Sequence, residues 1–256
     1  LDRLNVERPE LADLVRLYWE LLPLLFGRAT ALRMPTISSD GISEKLTSGV
    51  PILRGVPLEF DDAAASDAWR ELCAVVYRVR ATDTHQSVAL GMAAQIDPGA
   101  ALRKILASGP EAFRTDLERT LPAEAVLTSL RFWALPALAP LTNELERHWI
   151  TSGWSHGYCP ACGSWPLLAE FRGLEQYRWL RCGLCGAGWQ VDRIFCPFCE
   201  TRDHRQLQDI FVEGEEPRCR VSVCDACRGF VRGISTLAAL TAPGLLVAEL
   251  ETVHLE

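Results

Sequence analysis

A chain of 256 residues that is 48% hydrophobic and 23% charged can bury one large core or two ordinary ones, and is too apolar to be disordered. Its formal charge is −7, with 16 Lys+Arg against 20 Asp+Glu in residues 1–150 and 10 against 10 in residues 151–233. No region has the cationic excess that a phosphate-binding surface needs, so nucleic acid is not an expected partner.

In chain order, Leu11, Leu14, Val15, Tyr18, Leu22 and Leu25 repeat at helical spacing, with Pro9 where a helix would start and Gly27 where it would stop. This run, Leu11 to Phe26, is the most apolar of the chain. It carries Asp13, Arg16 and Glu20, which argues for an amphipathic helix and against stable membrane insertion. No stretch shows a positive segment leading into the apolar core of a secretory signal. Residues 34–60 break the rhythm. Met34 to Gly41 is polar and turn-rich, and "SGVPILRGVPLEF" reads as extended.

Asp61 or Asp62 then caps a second helix with Trp69, Leu72, Cys73 and Val76 on one face, so Cys73 reads as a small buried hydrophobe. Residues 83–118 suggest shorter helices separated near Asp97–Gly99 and Gly109–Pro110. Pro122 and Glu124 open a long helix with Val126, Leu130 and Trp133 on one face. Pro136 and Pro140 are expected to kink or split it before Leu141–Trp149. The first 152 residues thus read as one all-helical domain, with no recognisable catalytic constellation.

The pattern changes at "TSGWSHGY", which reads as a short linker, and becomes strand and turn from Cys159 onward. Eight of the ten cysteines fall into four C-x-x-C pairs: Cys159/Cys162, Cys182/Cys185, Cys196/Cys199 and Cys224/Cys227. Thiolates three residues apart can reach one ion, while the turn between them points N–H groups at the sulfurs. One pair is also a redox motif; four at hairpin-length spacing point to tetrathiolate metal sites in a reducing, cytoplasmic setting.

The gaps between successive pairs are 19, 10 and 24 residues. Sequential grouping puts one hairpin in each long gap: Trp165–Phe171 with Gln176–Arg181, turning near Gly173, and Gln206–Val212 with Arg218–Val223, turning through "EGEEP". Interleaved grouping is the alternative. Trp189 to Phe195 reads as a strand leading to the third pair. Cys219, Val221 and Val223 alternate with Arg218, Arg220 and Ser222, which sets Cys219 on the inner apolar face, apart from the eight ligands.

Gly163 and Gly186 directly follow their pairs, whereas Glu200 and Arg228 hold those places in the second module, so its geometry is expected to be less ideal. His156 and His204 lie close to cysteine pairs and read as surface or outer donors. Four thiolates suit zinc and a single iron alike, and the spacing does not match the common ferredoxin clusters. After Gly233 the chain turns apolar and acidic, with a helix expected over Leu245–Leu255.

The architecture is therefore α+β and multidomain: a helical domain (1–152), two tandem rubredoxin-like or zinc-ribbon modules (153–194 and 195–233) and a tail (234–256). The runs "YCPACGSWP", "LRCGLCGAGWQVDRIFCPFCE" and "VCDACRGFVR" strongly resemble the formate dehydrogenase accessory proteins, often called formate dehydrogenase formation protein E. "SGVPILRG" and "LLVAELETVHLE" are compatible with that family but less specific.

The resemblance implies a non-enzymatic, cytoplasmic maturation factor that acts on the catalytic subunit of respiratory formate dehydrogenase before export. It also implies iron as the favoured metal, with zinc as the alternative. Residues alone leave two other classes open: a rubredoxin-like electron-transfer or thiol-redox protein, and a nucleic-acid-binding ribbon, which the charge balance disfavours.

Overall fold

The computed structural model describes residues 1–27, 32–34, 36–80, 91, 94–117, 123–212, 214 and 218–255. The short helices expected between residues 83 and 96, and the "EGEEP" turn, fall largely outside these. Helices and one large sheet give the mixed architecture that the sequence implies. Contacts divide the chain into two units: Leu1–Thr36 with Leu53–Pro140, and Ile37–Ile52 with Leu141–Glu256.

The first unit is built from α1 (Asp2–Glu7), α2 (Ala12–Gly27), α4 (Asp62–Arg80), α5 (Pro98–Ser108), α6 (Pro110–Leu117) and the first part of α7 (Ala123–Ser152), with a two-stranded ribbon of β1 (Leu32–Arg33) and β2 (Glu59–Phe60). Its helices start where the sequence says. Pro9 opens a 3-10 turn into α2, Asp61 Oδ1 accepts the N–H groups of Ala63 and Ala64, and Asp97 Oδ1 accepts that of Ala100. Val15, Leu21, Trp69, Leu72, Leu102, Ile105 and Leu130 fill the core. Tyr18 meets Phe132 edge-on at 5.7 Å. Cys73 lies in this core, and burial pushes its thiol up to about 11.

Two expectations fail here. The helix is not split: α7 runs unbroken from Ala123 to Ser152 through Pro136 and Pro140. Each proline removes one N–H, but buried neighbours from Phe132 to Ala139 hold the helix on both sides of the gaps. The polar stretch before Val50 also contains a helix, α3 (Ser39–Thr47). Ser38 Oγ caps it, accepting from the Gly41 N–H at 3.1 Å, and only Ile42 and Leu46 are buried, too few to signal amphipathicity.

That segment packs in the second unit. The Ile52 N–H donates to the Pro160 carbonyl (2.9 Å), and the Tyr158 hydroxyl donates to that of Gly49 (2.7 Å). The unit's centre is a six-stranded sheet in the order β5 (Gly188–Gln190), β4 (Tyr177–Cys182), β3 (Pro166–Arg172), β8 (Phe230–Thr236), β7 (Cys219–Cys224), β6 (Leu207–Ile210). Both expected hairpins are present. β8 was not expected, and it pairs in parallel with β3, Ala169 opposite Gly233 and Arg172 opposite Thr236, so both modules share one sheet.

β5 is shorter than the expected Trp189–Phe195 strand, because Arg178 Nη1 draws the carbonyls of Arg193 and Phe195 out of the ladder. The C-terminal helix, α8 (Ala242–Glu251), is capped by Thr241 and packs Leu245 and Ala248 on Leu168, Cys219 and Ile234. Cys219 thus lies inward as expected. Arg220, its neighbour in the alternation, is buried as well, with its guanidinium over the rings of Phe171 and Phe211. Among the described residues no helix is long and apolar enough to cross a membrane.

Candidate metal centres

Each C-x-x-C pair forms the same local turn. The N–H of the residue after the second cysteine donates to the carbonyl of the first: Gly163 to Cys159 (2.9 Å), Gly186 to Cys182 (3.0 Å), Glu200 to Cys196 (2.9 Å) and Arg228 to Cys224 (2.7 Å). The N–H of each first cysteine donates to the carbonyl five residues on, at Ser164, Ala187, Thr201 and Gly229 (2.9–3.0 Å).

The residue closing each turn is left-handed in all four, with φ of 82° and 76° at Gly163 and Gly186, and 59° and 60° at Glu200 and Arg228. The expected difference in knuckle geometry is therefore absent. The hydrogen bonds impose one path on both modules, and the second holds two side-chain-bearing residues where glycine would be relaxed. Arg228→Gly should accordingly stabilise the second module by up to about 1 kcal/mol, and Gly163→Ala should cost the first about as much. Denaturant midpoints of the two variants should move in opposite directions.

The knuckles face each other in sequential order. Cys159, Cys162, Cys182 and Cys185 form one group, and Cys196, Cys199, Cys224 and Cys227 the other, with the sulfurs of each group all within 4.8 Å of one another. Sulfur separations are 3.5 Å for Cys159–Cys185, 3.4 Å for Cys162–Cys182, 3.6 Å for Cys196–Cys227 and 3.7 Å for Cys199–Cys224. Four thiolates about 2.3 Å from one ion in a tetrahedron lie roughly 3.8 Å apart, so either group fits a single ion with small adjustment. N–H groups point at the sulfurs, Cys162 to Cys159 Sγ (3.5 Å) and Gly229 to Cys227 Sγ (3.4 Å).

The charge state of the sulfurs points the same way. Burial, and the neighbouring sulfurs, push the Cys159 and Cys185 thiols well up. Burial also resists ionisation of Cys162, but hydrogen bonds from the other three cysteines and Ser164 hold it well below the usual range. In the second group burial dominates at Cys196, pushed up to about 12. At Cys224 the same penalty is outweighed by the Cys227 N–H and by Cys196 and Cys199. Crowded sulfurs concentrate charge on one member, and a cation is what lets all four ionise together.

What separates the groups is exposure. All four cysteines of the first are buried, whereas Cys199 and Cys227 of the second are open to solvent. Side chains of α7 bond the backbone beside the first: Thr142 Oγ1 donates to the Cys185 carbonyl (2.9 Å), and the Trp149 indole donates to that of Gly188 (2.9 Å). The "TSGWSHGY" stretch is not a loose linker. His156 stacks on Tyr158, Trp154 meets both edge-on, Trp165 continues the row to Phe198 at 5.6 Å, and Gly157 lies so close to the Pro197 backbone that a Cβ would overlap it.

Neither His156 nor His204 joins a sulfur group. His156 Nδ1 lies 3.3 Å from Glu200 Oε1, and His204 is largely exposed. The sequence reading missed the polar groups that brace this sheet. Glu170 is fully buried, with Oε2 accepting from Arg181 (2.7 Å) and Arg172 (3.0 Å) and Oε1 from Thr236 Oγ1 (2.9 Å) and the Leu240 N–H (2.8 Å). Arg181 in turn donates to the carbonyl of Gly186 in the second knuckle (3.0 Å).

No family model matches the chain. It is 29% identical over 129 residues to a "Protein FdhE homolog" of Aquifex aeolicus (48% of this chain, 44% of that protein). It is 33% identical over 94 residues to a homolog of Pseudomonas aeruginosa (34% and 30%) and 30% identical over 82 residues to Protein FdhE of Escherichia coli (31% and 26%). The matches thus span less than half the length of these relatives. The crystal structure of the FdhE protein from Pseudomonas aeruginosa superimposes with a TM-score of 0.55 at 22% identity, covering 95% of this chain and 85% of that one, which shows a shared fold. The chain is thus similar over part of its length to several FdhE proteins in sequence and shares the fold of one of them.

Proposed function

We propose that this chain is a non-enzymatic, metal-binding maturation factor that engages the catalytic subunit of respiratory formate dehydrogenase in the cytoplasm before that subunit is exported. The pair of four-sulfur clusters in an FdhE-like fold carries the proposal. The first ion would be held by Cys159, Cys162, Cys182 and Cys185, and the second by Cys196, Cys199, Cys224 and Cys227. Iron is the favoured metal and zinc the alternative. Iron would supply a one-electron couple at either site, whereas zinc would supply only a cross-link. The chain's own residues pre-form the sites: knuckle N–H groups face the sulfurs, and the shared sheet fixes the two clusters relative to each other. The helical domain (1–152) is proposed as the part that holds the client.

A rubredoxin-like electron-transfer protein is the second reading, favoured by the solvent-open Cys199 and Cys227. Co-purification with a tagged formate dehydrogenase catalytic subunit separates the two. The expected result is capture by the intact chain and loss of capture when either cluster carries a Cys→Ser change. Absence of capture, together with electron transfer to a small-molecule acceptor, would establish the second reading instead.

A further inference from the structure

Arg178 and Arg181 stand three residues apart on β4, and so on opposite faces of the strand. Both are almost fully buried, at 3% and 5% exposure. Their partners differ in kind. Arg181 is neutralised by the Glu170 carboxylate at 2.7 Å. Arg178 Nη1 donates only to the carbonyls of Phe195 (2.6 Å) and Arg193 (3.3 Å), and its Nε has no hydrogen-bond partner. The neighbouring carboxylate, Asp209, accepts from Ser222 Oγ at 2.6 Å and pairs with Arg220. A buried guanidinium held by carbonyls alone keeps a charge that the interior penalises heavily, and natural interiors compensate such charges with an opposite one.

The opposite charge lies across the same cavity. Arg178 lines a space of about 330 Å³ together with Cys196 and Cys224, one cysteine from each knuckle of the second cluster. Burial pulls the guanidinium's pKa down, and Asp209 and then Cys196 push it back up. Four thiolates around a divalent ion carry a formal charge of about −2, and Arg178 is the buried cation beside them.

We infer that Arg178 is the counter-charge of the second cluster: its guanidinium, shared with Asp209, compensates the tetrathiolate when an ion is bound, while its bonds to the carbonyls of residues 193 and 195 hold the third knuckle in place. The inference rests on the metal-binding reading above. It assigns Arg178 a positioning and electrostatic role in holding an ion at a cluster half open to solvent. Beside the first cluster the corresponding arginine, Arg181, is already paired with the Glu170 carboxylate.

The test loads the full chain with zinc and follows its loss to a chromophoric chelator, while mass spectrometry of alkylated cysteines reports which cluster has opened. Arg178→Met should weaken retention at the second cluster by roughly 10- to 100-fold and leave the first unchanged, the range usual for removing a group that supports metal ligands. Arg178→Lys, which restores the charge without the planar fork, should recover most of the loss. Wild-type retention at the second cluster in Arg178→Met, or a lysine variant as weak as the methionine one, would overturn the inference.

Should Arg178→Met not fold, the exposed Asp209→Asn carries the test. Freeing the guanidinium from its competing carboxylate should tighten the second cluster alone, at least about two-fold, and no change there would count against the counter-charge. Failure of the wild-type chain to take up metal at either cluster would refute the metal-binding reading instead, so the two failures are distinguishable.

Discussion

Cys182→Ser is expected to remove one of the two proposed metal ions and to loosen far more of the chain than the hairpin that carries it. Binding an ion to four thiolates supplies folding free energy on the order of 10 kcal/mol in small modules, and a three-thiolate remnant retains only part of it. Cys182 closes β4 opposite Pro166, and β3 in turn pairs in parallel with β8 of the other module. Loss of the first ion therefore releases the seam that joins the modules.

Metal content should fall from two ions to one. Hydrogen-exchange protection should drop over residues 159–190 and also over 230–236. Unchanged protection in β8 would mean that the modules fold independently despite sharing a sheet. Cys227→Ser is the matched control. Its sulfur is already exposed, so it should lose its ion with less damage to the sheet.

The second large effect is expected at Glu170. Its carboxylate is wholly buried and takes four donors that tie β3 to β4, to the end of β8 and to the segment entering α8. Glu170→Ala leaves Arg181 and Arg172 facing each other without an anion, a loss of about 3–5 kcal/mol. Urea denaturation should show it as a lower midpoint with little change in slope.

The pH dependence follows in sign. Burial alone would raise this carboxyl's pKa, but Arg172 and Arg181 outweigh it and hold the group below the ordinary carboxylate value. Its contribution is thus fully present above the unfolded-state value of about 4.3, and fades as pH falls through the lower folded value. Glu170→Gln should be less stable than wild type at neutral pH and should lose less on acidification below about pH 4. Parallel acid limbs for the two proteins would show that Glu170 is not ionised in the fold.

Some of this was readable residue by residue. The four knuckles are local objects: a C-x-x-C turn closes by hydrogen bonds within six residues, so spacing alone found the eight cysteines and their sequential grouping. The amphipathic helices α2 and α4 were legible for the same reason, since helical spacing exposes one buried face. Cys219 could be set apart because strand alternation is also a local rule.

What escaped the sequence depends on partners far along the chain. Glu200 and Arg228 look unfit for a left-handed turn, yet the hydrogen bonds of a complete knuckle hold them there. Pro136 and Pro140 predict a kink or a split in α7, yet the helix continues through both, with buried residues along its length. β8 was not expected as a strand, and its place between β3 and β7 follows only from the assembled sheet. Nothing in "YRWLRC" says that one arginine will find a carboxylate and the other the carbonyls beside the third knuckle. The sequence by itself singled out the eight cysteines as candidate ligands and favoured their sequential grouping, because each knuckle is written in short-range spacing. Only the tertiary structure decided that the two modules share one sheet, that one cluster is sealed and the other open, and which buried charges meet, because each of these rests on contacts that form only when distant strands come together.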